Sequence, residues 1–223
     1  MKHISDNNAI EVKNLVKKYG AFIAVNNISF EVKKGEVFSL LGPNGAGKTT
    51  TTEILECLKN PSSGIIKVLG FDIKNERNQE KVKKIIGVMP QEFNTFDNLT
   101  VRENINYFRI LFDSNIKVDE LINLVGLNDK TNERYKNLSG GLKQKVGISI
   151  SLVNEPELIF LDEPTAGLDP MARKDVWNVI RDLKEKGKTI FMTTHYLEEA
   201  QELSDTITIM NNGKIVAQDS PRN

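Results

Sequence analysis

Two short segments contain the residue types that proteins use to bind phosphate groups. The first, GPNGAGKTT from Gly42 to Thr50, combines three glycines with a lysine and two threonines. The second, LSGGLKQKV from Leu138 to Val146, has a serine and two glycines where a helix is expected to begin, with Ser139 as its cap. Glycine lets backbone N–H groups converge on a phosphate, and a helix N-terminus adds a positive dipole end. The chain therefore has two phosphate-binding loops, although nothing else in it indicates a second nucleotide.

The first segment fits the nucleotide P-loop pattern. Gly42 is followed by four residues and then by Gly47, Lys48 and Thr49, and the loop lies between a predicted strand and a predicted helix. We expect Lys48 to reach the β and γ phosphates and the Thr49 hydroxyl to bind Mg²⁺. The remaining loop residues are also expected to contact the nucleotide, and these are Pro43, Asn44, Gly45, Ala46 and Thr50.

A pair of acidic residues follows a strongly apolar run. LIFLDEP, from Leu158 to Pro164, reads as a buried strand that brings Asp162 and Glu163 to the C-terminal edge of a sheet, where ligands of open α/β sheets bind. We expect Asp162 to hold Mg²⁺ through its water shell and Glu163 to polarise an attacking water. Two solvated loop charges are the alternative, which the neighbouring P-loop makes less favoured.

Three other residues lie near strand ends and have more than one interpretation. His195 follows the apolar strand TIFMTT, and on position alone it fits a structural role as well as a catalytic one. Gln91 ends GVMPQ and fits either a Mg²⁺ or water ligand or an ordinary loop residue. Tyr19 follows the first strand and fits either stacking on a base or aromatic packing.

The elements that must position these residues alternate in type along the chain. The first third is β-rich, apart from a helix predicted from Lys48 to Asn60 that stops at Pro61, and residues 81–91 are predicted as a strand. Residues 92–154 show helical periodicity, and strand and helix then alternate up to a closing β-pair. Apolar strands alternating with helices predict an α/β fold with a mainly parallel, buried sheet.

Composition limits the function classes. The 223 residues include 30 basic and 30 acidic side chains, so no global field attracts nucleic acid and we expect no nucleic-acid partner. No apolar run approaches the roughly 18 residues of a membrane-spanning helix. The single cysteine, Cys57, is expected to pack in a helix, and with no charged-then-apolar leader at the start it favours a reducing, cytoplasmic setting.

The order of these motifs resembles the nucleotide-binding subunit of ATP-binding-cassette (ABC) proteins over essentially the whole chain. The resemblance implies that ATP and Mg²⁺ are the cofactors and that Lys48, Glu163 and His195 are the catalytic residues. It further implies that the Tyr19 ring stacks on adenine and that Gln91 joins Thr49 and Asp162 around Mg²⁺.

The same resemblance explains the second phosphate-binding loop. In this family two cassettes pair head to tail, and the signature and D-loop of one complete the ATP site of the other. The residues implied to make this contact across the dimer are Leu138, Ser139, Gly140, Gly141, Leu142 and Asp169. Leu142 replaces the usual glutamine and cannot donate a hydrogen bond, so we expect Ser139 and the glycine backbone to carry the contact.

The family implies a domain organisation and partners. It predicts one P-loop NTPase domain over residues 1–223, with a nucleotide-binding core at 1–91 and 155–223, an N-terminal antiparallel β-subdomain and an inserted helical lobe at 92–154. The implied partners are a second cassette, identical or homologous, and an integral membrane permease on whose cytoplasmic face the chain would lie.

Two further questions stay open from the sequence. The apolar signature residue and the LTVREN stretch favour an exporter-type cassette, whereas a soluble ABC ATPase that powers cofactor assembly is the alternative. The chain stops just after the closing β-pair, where relatives commonly continue with a helical segment. This ending fits either a minimal subunit or a shortened one.

Overall fold

The computed structural model describes residues 7–221 and contains two β-sheets with helices packed around the larger one. The strands are β1 Asn8–Tyr19, β2 Phe22–Lys33, β3 Val37–Leu41, β4 Ser63–Val68, β5 Phe71–Asp72, β6 Ile86–Met89, β7 Leu158–Asp162, β8 Thr189–Thr194, β9 Thr206–Asn211 and β10 Lys214–Asp219. The helices are α1 Lys48–Leu55, α2 Glu76–Ile85, α3 Val101–Leu111, α4 Val118–Leu124, α5 Gly140–Ser151, α6 Pro170–Glu185 and α7 Leu197–Leu203. Short 3₁₀ turns cover Asn128–Lys130 and Tyr135–Asn137.

The larger sheet has the strand order β10-β9-β3-β8-β7-β6. All its neighbours are parallel except the closing pair, β9 and β10. Leu41 of β3 lies opposite Thr194 of β8, and Asp162 of β7 lies opposite Thr193. The carboxyl ends of three adjacent strands therefore meet at one edge of the sheet, directly before the P-loop, Glu163 and His195.

The smaller sheet is antiparallel throughout, in the order β2-β1-β4-β5. It packs on one face of the larger sheet through stacked phenylalanines, with 5.3 Å between the ring centres of Phe30 and Phe38 and 5.3 Å between those of Phe38 and Phe191. The predicted fold class, a mainly parallel core sheet with an antiparallel β-subdomain and helices, is confirmed.

Strand β7 shows why the central strands are apolar along their whole length. Ile159 and Leu161 point into a core shared with helices α3 to α6, whereas Leu158 and Phe160 point into the core shared with the smaller sheet. Successive side chains of a strand alternate between faces, so a strand covered on both sides needs an apolar residue at every position. This continuous run ends at Asp162, where the chain reaches the polar edge.

Two predicted elements were wrong. Residues 81–85, predicted as part of a strand, belong to α2, which Asn75 caps by accepting a hydrogen bond from the Arg77 N–H, and the strand begins only at Ile86. Helix α1 ends at Leu55 rather than at Asn60, and Cys57 follows it with a φ of 61°. Three lysines among residues 81–84 fit the exposed side of a helix better than a buried strand.

Helices α3, α4 and α5 and both 3₁₀ turns lie between β6 and β7 in the chain. Their apolar side chains form one continuous core with the sheet and α6. The boundaries at residues 91 and 155 stay a prediction. Within residues 7–221, no helix combines the length and apolar character needed to span a membrane.

Candidate nucleotide site

The P-loop forms the floor of a cavity of about 380 Å³ at the polar edge of the larger sheet. No side chain fits at Gly42 or Gly47, and Gly47 also has a conformation that favours glycine. A Cβ on Gly42 would lie 2.2 Å from the Met210 carbonyl oxygen, and one on Gly47, whose φ is 102°, would lie 2.6 Å from the Ala24 carbonyl oxygen. The backbone therefore approaches its neighbours more closely than any side chain allows.

The cavity brings together most of the residues predicted to bind the nucleotide. Gly42 and Ala46 are buried within the loop rather than at the cavity surface. The residues that line the cavity are Phe22, Ala24, Pro43, Asn44, Gly45, Gly47, Lys48, Thr49, Thr50, Gln91 and Glu163. The contribution of Phe22 and Ala24 was not predicted, because the only sequence signal was their position just after Tyr19.

Lys48 begins α1 and its side chain is 5% exposed. Its ammonium group donates to the carbonyl oxygens of Gly42 at 2.7 Å and Pro43 at 3.3 Å. It also lies 3.4 Å from Oε1 of Glu163. The loop carbonyls thus hold the lysine across the cavity floor, with its charge facing the carboxylate.

The carboxylate of Glu163 contacts three side chains that are far apart in the sequence. Besides Lys48, its Oε2 lies 3.0 Å from Nδ1 of His195 and accepts a longer hydrogen bond, 3.4 Å, from Nε2 of Gln91. Glu163 is 7% exposed and has a φ of 47°, a left-handed conformation that is uncommon outside glycine. Its N–H donates to the carbonyl and hydroxyl oxygens of Thr193, which stabilises this turn.

Asp162 lies one residue before Glu163 and is also buried. Burial raises the pKa of the Asp162 carboxyl, while a short hydrogen bond donated by the Thr193 hydroxyl acts in the opposite direction. Thr193 therefore holds both acidic residues. It was not predicted, although its place directly before the TH pair at the end of β8 was the available signal.

Three side chains at the site are candidate oxygen donors for Mg²⁺. Among residues 7–221 there is no cluster of three or more His, Cys, Asp and Glu side chains that could form a closed metal site. The candidate donors are instead the exposed Thr49 hydroxyl, the Asp162 carboxylate and the Gln91 amide. An open set of oxygen donors fits Mg²⁺, which keeps several waters and binds substrate phosphates together with one or two protein oxygens.

Tyr19 has different surroundings from those predicted. The ammonium groups of Lys17 and Lys59 lie 5.1 Å and 5.7 Å from the centre of its ring. Among the described residues, Tyr19 is not part of the cavity lining, whereas the Phe22 ring, 65% exposed, is. The role of Tyr19 in stacking on a base stays a prediction.

The second segment predicted to bind phosphate, Leu138–Leu142, leads into the N-terminus of α5. Ser139 is the N-cap residue by its backbone angles, but its hydroxyl makes no capping hydrogen bond, so the prediction of side-chain capping was wrong. Leu142 packs against the helical core and Leu138 is buried. Gly140 and Gly141 lie against Leu168 and Ala172, where an added Cβ would come within 3.2 Å and 2.9 Å.

Asp169, the last residue of the predicted D-loop, has a role within its own chain. Its carboxylate caps α6 by accepting hydrogen bonds from the N–H groups of Met171 and Ala172, each at 3.0 Å. Pro170 follows at the first helical position, which suits its missing N–H. The contacts of Asp169 and the signature residues with a second chain stay predictions.

Known proteins similar to this chain support the interpretation of the cavity as a nucleotide site. The family model described as ABC transporter matches residues 25–166. The chain is 40% identical over 217 residues to the probable multidrug ABC transporter ATP-binding protein YbhF of Escherichia coli (strain K12), covering 95% of this chain and 37% of that protein. It is 39% identical over 217 residues to the Nod factor export ATP-binding protein I of Burkholderia orbicola, covering 95% and 71%.

Solved structures of cassettes have the same fold. One is the cbiO1 protein of Clostridium perfringens, described as part of an ABC transporter complex, with a TM-score of 0.87 and 27% identity over 97% of this chain and 90% of that one. Another is the dimeric cassette MJ0796 in a post-hydrolysis state with ADP and Pi, with a TM-score of 0.83 and 27% identity over 96% and 99%. The P-loop cavity, the acidic pair and these relatives lead to one conclusion: the chain belongs to the ABC transporter family and has the cassette fold.

Proposed function

We propose that this chain is the ATP-hydrolysing subunit of an exporter, and that it works as one of two cassettes on a separate membrane permease. The observation that carries the catalytic part is the Glu163 carboxylate, which lines the P-loop cavity and contacts Lys48, His195 and Gln91. Its transport direction is supported by relatives named for multidrug and Nod factor export. These relatives do not favour the alternative of a soluble assembly ATPase.

The proposed catalytic roles follow from the contacts of each side chain. Lys48 binds the β and γ phosphates of ATP with its ammonium group, which the carbonyl oxygens of Gly42 and Pro43 hold at the loop. Glu163 accepts a hydrogen bond from the attacking water and aligns it with the γ-phosphate. His195 fixes the orientation of the Glu163 carboxylate through Nδ1, and Gln91 contacts the same carboxylate from the start of the loop after β6.

Thr49 and Asp162, with Gln91 as a third donor, would hold Mg²⁺. When bound, the ion neutralises charge on the β and γ phosphates during the transfer. The buried Asp162 carboxyl needs such a cation, because burial by itself disfavours its charged form.

The second phosphate-binding loop supports a head-to-tail pair. The Ser139 hydroxyl makes no capping bond in its own chain and the N-terminus of α5 adds a positive dipole end, so both are suited to a phosphate held by a partner. Leu142 faces the core of its own chain, which leaves the contact to Ser139 and the glycine backbone. Dimeric cassettes among the similar structures support the pairing.

A groove beside Gln91 is the proposed site for the permease. It has a volume of about 360 Å³ and lies between the end of β6 and helices α3 and α5, next to Pro90 and Glu92. Its apolar side comes from residues that include Phe93, Phe108 and Phe112. A cytoplasmic helix of the permease would fit there, on the inner face of the membrane, and would sense a movement of Gln91 through the adjoining loop.

The catalytic proposal is tested by Glu163→Gln. The amide keeps the shape of the side chain but cannot act as a base, so we expect turnover to fall by about 100-fold or more. ATP-dependent dimers should then accumulate, measured by light scattering with and without ATP. Unchanged turnover would refute the role of Glu163, and a variant that stays monomeric at high ATP would refute homodimer closure.

The transport proposal needs a different measurement. The chain is tagged in its native cell, membranes are solubilised in mild detergent, and the proteins that co-purify are identified. We expect a polytopic membrane protein in stoichiometric amount. Recovery with soluble partners only, and absence of the chain from membranes, would refute the exporter proposal and favour the assembly ATPase.

A further inference from the structure

Three side chains outside the P-loop form a stack that includes His195. The ring of His195 and that of its neighbour Tyr196 have centres 3.9 Å apart, with 41° between their planes. The guanidinium carbon of Arg173 lies 4.3 Å from the centre of the Tyr196 ring. Tyr196 is therefore in contact with both a cation and the histidine, whose Nδ1 lies 3.0 Å from Glu163.

Arg173 belongs to the first turn of α6, which begins at the predicted D-loop. Its N–H donates to the carbonyl oxygen of Asp169 at 2.9 Å, and Asp169 caps the same turn with its carboxylate. The preceding residue, Ala172, lies against Gly141 of the signature helix. The turn that carries Arg173 is thus fixed to both segments that we expect to face a second cassette.

The side chain of Arg173 has few other interactions to explain its position. Its Nε is buried and, within the described part of the chain, has no hydrogen-bond partner. A buried guanidinium nitrogen without a partner is unfavourable, so the contact with the Tyr196 face is the interaction that accounts for this orientation. Arginine suits such a contact because its planar group stacks on aromatic rings.

Helix α7, which begins just after Tyr196, is held against α6 by contacts independent of Arg173. The buried Glu199 carboxylate accepts hydrogen bonds from Nε1 of Trp177 at 2.9 Å and from the Thr165 hydroxyl at 2.6 Å. Arg181 pairs with Glu202 at 2.9 Å further along the same two helices. Removal of Arg173 should therefore leave the helices docked, while the ring of Tyr196 loses its support.

We propose that Arg173 is a positioning residue for His195. It holds the Tyr196 ring, and through that ring the imidazole, in reach of the Glu163 carboxylate, so that the first turn of α6 and the histidine move together. This inference rests on the proposed catalytic roles of Glu163 and His195. It links the segment expected to contact the second cassette with the group that orients the catalytic carboxylate.

The test compares Arg173→Ala with Arg173→Lys and with Arg181→Ala, a matched removal of an arginine that joins the same helices away from the site. Steady-state ATP hydrolysis by the chain gives kcat and KM, and thermal unfolding gives the folded fraction. We expect Arg173→Ala to lower kcat about 5- to 20-fold with KM within about twofold, because a misplacement of a catalytic group by about 1 Å can cost about 100-fold and the histidine keeps its own contact with Glu163. Lysine should restore part of the rate, since an ammonium also binds an aromatic face, and Arg181→Ala should keep the parent kcat.

Tyr196→Leu and Tyr196→Phe test the same stack without changing Arg173. Phenylalanine keeps the ring and should keep kcat, whereas leucine should lower it as Arg173→Ala does. Parent-like kcat in either Arg173→Ala or Tyr196→Leu would overturn the inference. So would an equal fall of kcat in Arg173→Ala and Arg181→Ala, which would indicate helix docking alone.

Glu163→Gln and His195→Ala separate this inference from the proposed function. If both lose turnover while Arg173→Ala does not, the catalytic assignment stands and only the positioning role is refuted. If either keeps the parent turnover, the catalytic assignment fails and the positioning role fails with it.

Discussion

Glu56, the C-cap residue of helix α1, allows a quantitative test of the electrostatics next to the nucleotide site. Its side chain is 6% exposed. Burial, together with the nearby charges of Asp162 and Glu53, raises its pKa from the ordinary 4.5 to about 8. The folded protein therefore keeps the Glu56 proton over a pH range in which the unfolded chain has released it.

The sign of the effect on stability follows from proton binding. Between about pH 4.5 and pH 8 the folded state holds one more proton at Glu56 than the unfolded state, so the free energy of unfolding decreases as pH rises. A pKa difference of this size corresponds to about 5 kcal/mol over the whole range, at about 1.4 kcal/mol per pH unit. Glu56→Gln removes the ionisable carboxyl group, and with it this contribution to the pH dependence of the free energy of unfolding.

The assay is urea unfolding of the parent and Glu56→Gln at several pH values between 5 and 8.5. The variant should gain stability relative to the parent as pH rises, by several kcal/mol across the series, whatever constant offset the buried amide adds. Glu120→Gln is the control, because Glu120 is exposed on α4 and lies 3.6 Å from Lys117. Parallel slopes for the parent and Glu56→Gln would show that Glu56 is ionised in the folded protein and would refute the reasoning.

Two further predictions concern residues at the cavity. Phe22→Ala should weaken ATP binding at least about 5-fold, because an aromatic platform contributes about 1–3 kcal/mol per base. Binding of tripolyphosphate, which has no base, should be unaffected, and a loss seen only in Tyr19→Ala would place the base on Tyr19 instead. Thr193→Val should lower the free energy of unfolding by about 1–3 kcal/mol, since it removes the hydroxyl that holds Asp162 and the Glu163 N–H. Thr208→Val, where a buried hydroxyl has no hydrogen-bond partner among residues 7–221, should cost far less in urea unfolding, and equal losses would contradict the assigned role of Thr193.

Most of the larger sheet could be predicted because its strands follow a simple physical rule. A strand covered on both faces must be apolar throughout, and LIFL and TIFM satisfy that rule before each chain segment turns polar. The P-loop pattern is equally local, since its glycines, lysine and threonine act through neighbouring backbone groups. These features placed Lys48 and the ends of β7 and β8 on one edge from the sequence alone.

The features that could not be predicted depend on contacts between distant segments or on backbone conformation. A single sequence does not indicate that Glu163 adopts a left-handed conformation, because glutamate has no general preference for it. Nor does it indicate that the Phe22 ring, rather than Tyr19, faces the cavity, since the turn between β1 and β2 decides this. The lysines at positions 81, 83 and 84 are compatible with the polar face of a strand as well as with a helix. The structure shows a helix, which Asn75 caps.

The ion pair between Lys48 and Glu163 is such a contact, and it affects how the site would work. The Lys48 ammonium has three protons and three oxygen neighbours, two loop carbonyls and the more distant Glu163 at 3.4 Å. Phosphate oxygens of ATP must compete with these neighbours, and the carboxylate is the one whose side chain can turn away. A phosphate that takes over the Lys48 ammonium would release the Glu163 carboxylate from this ion pair. The freed carboxylate could then turn towards the attacking water, while its contact with Nδ1 of His195 keeps it in place.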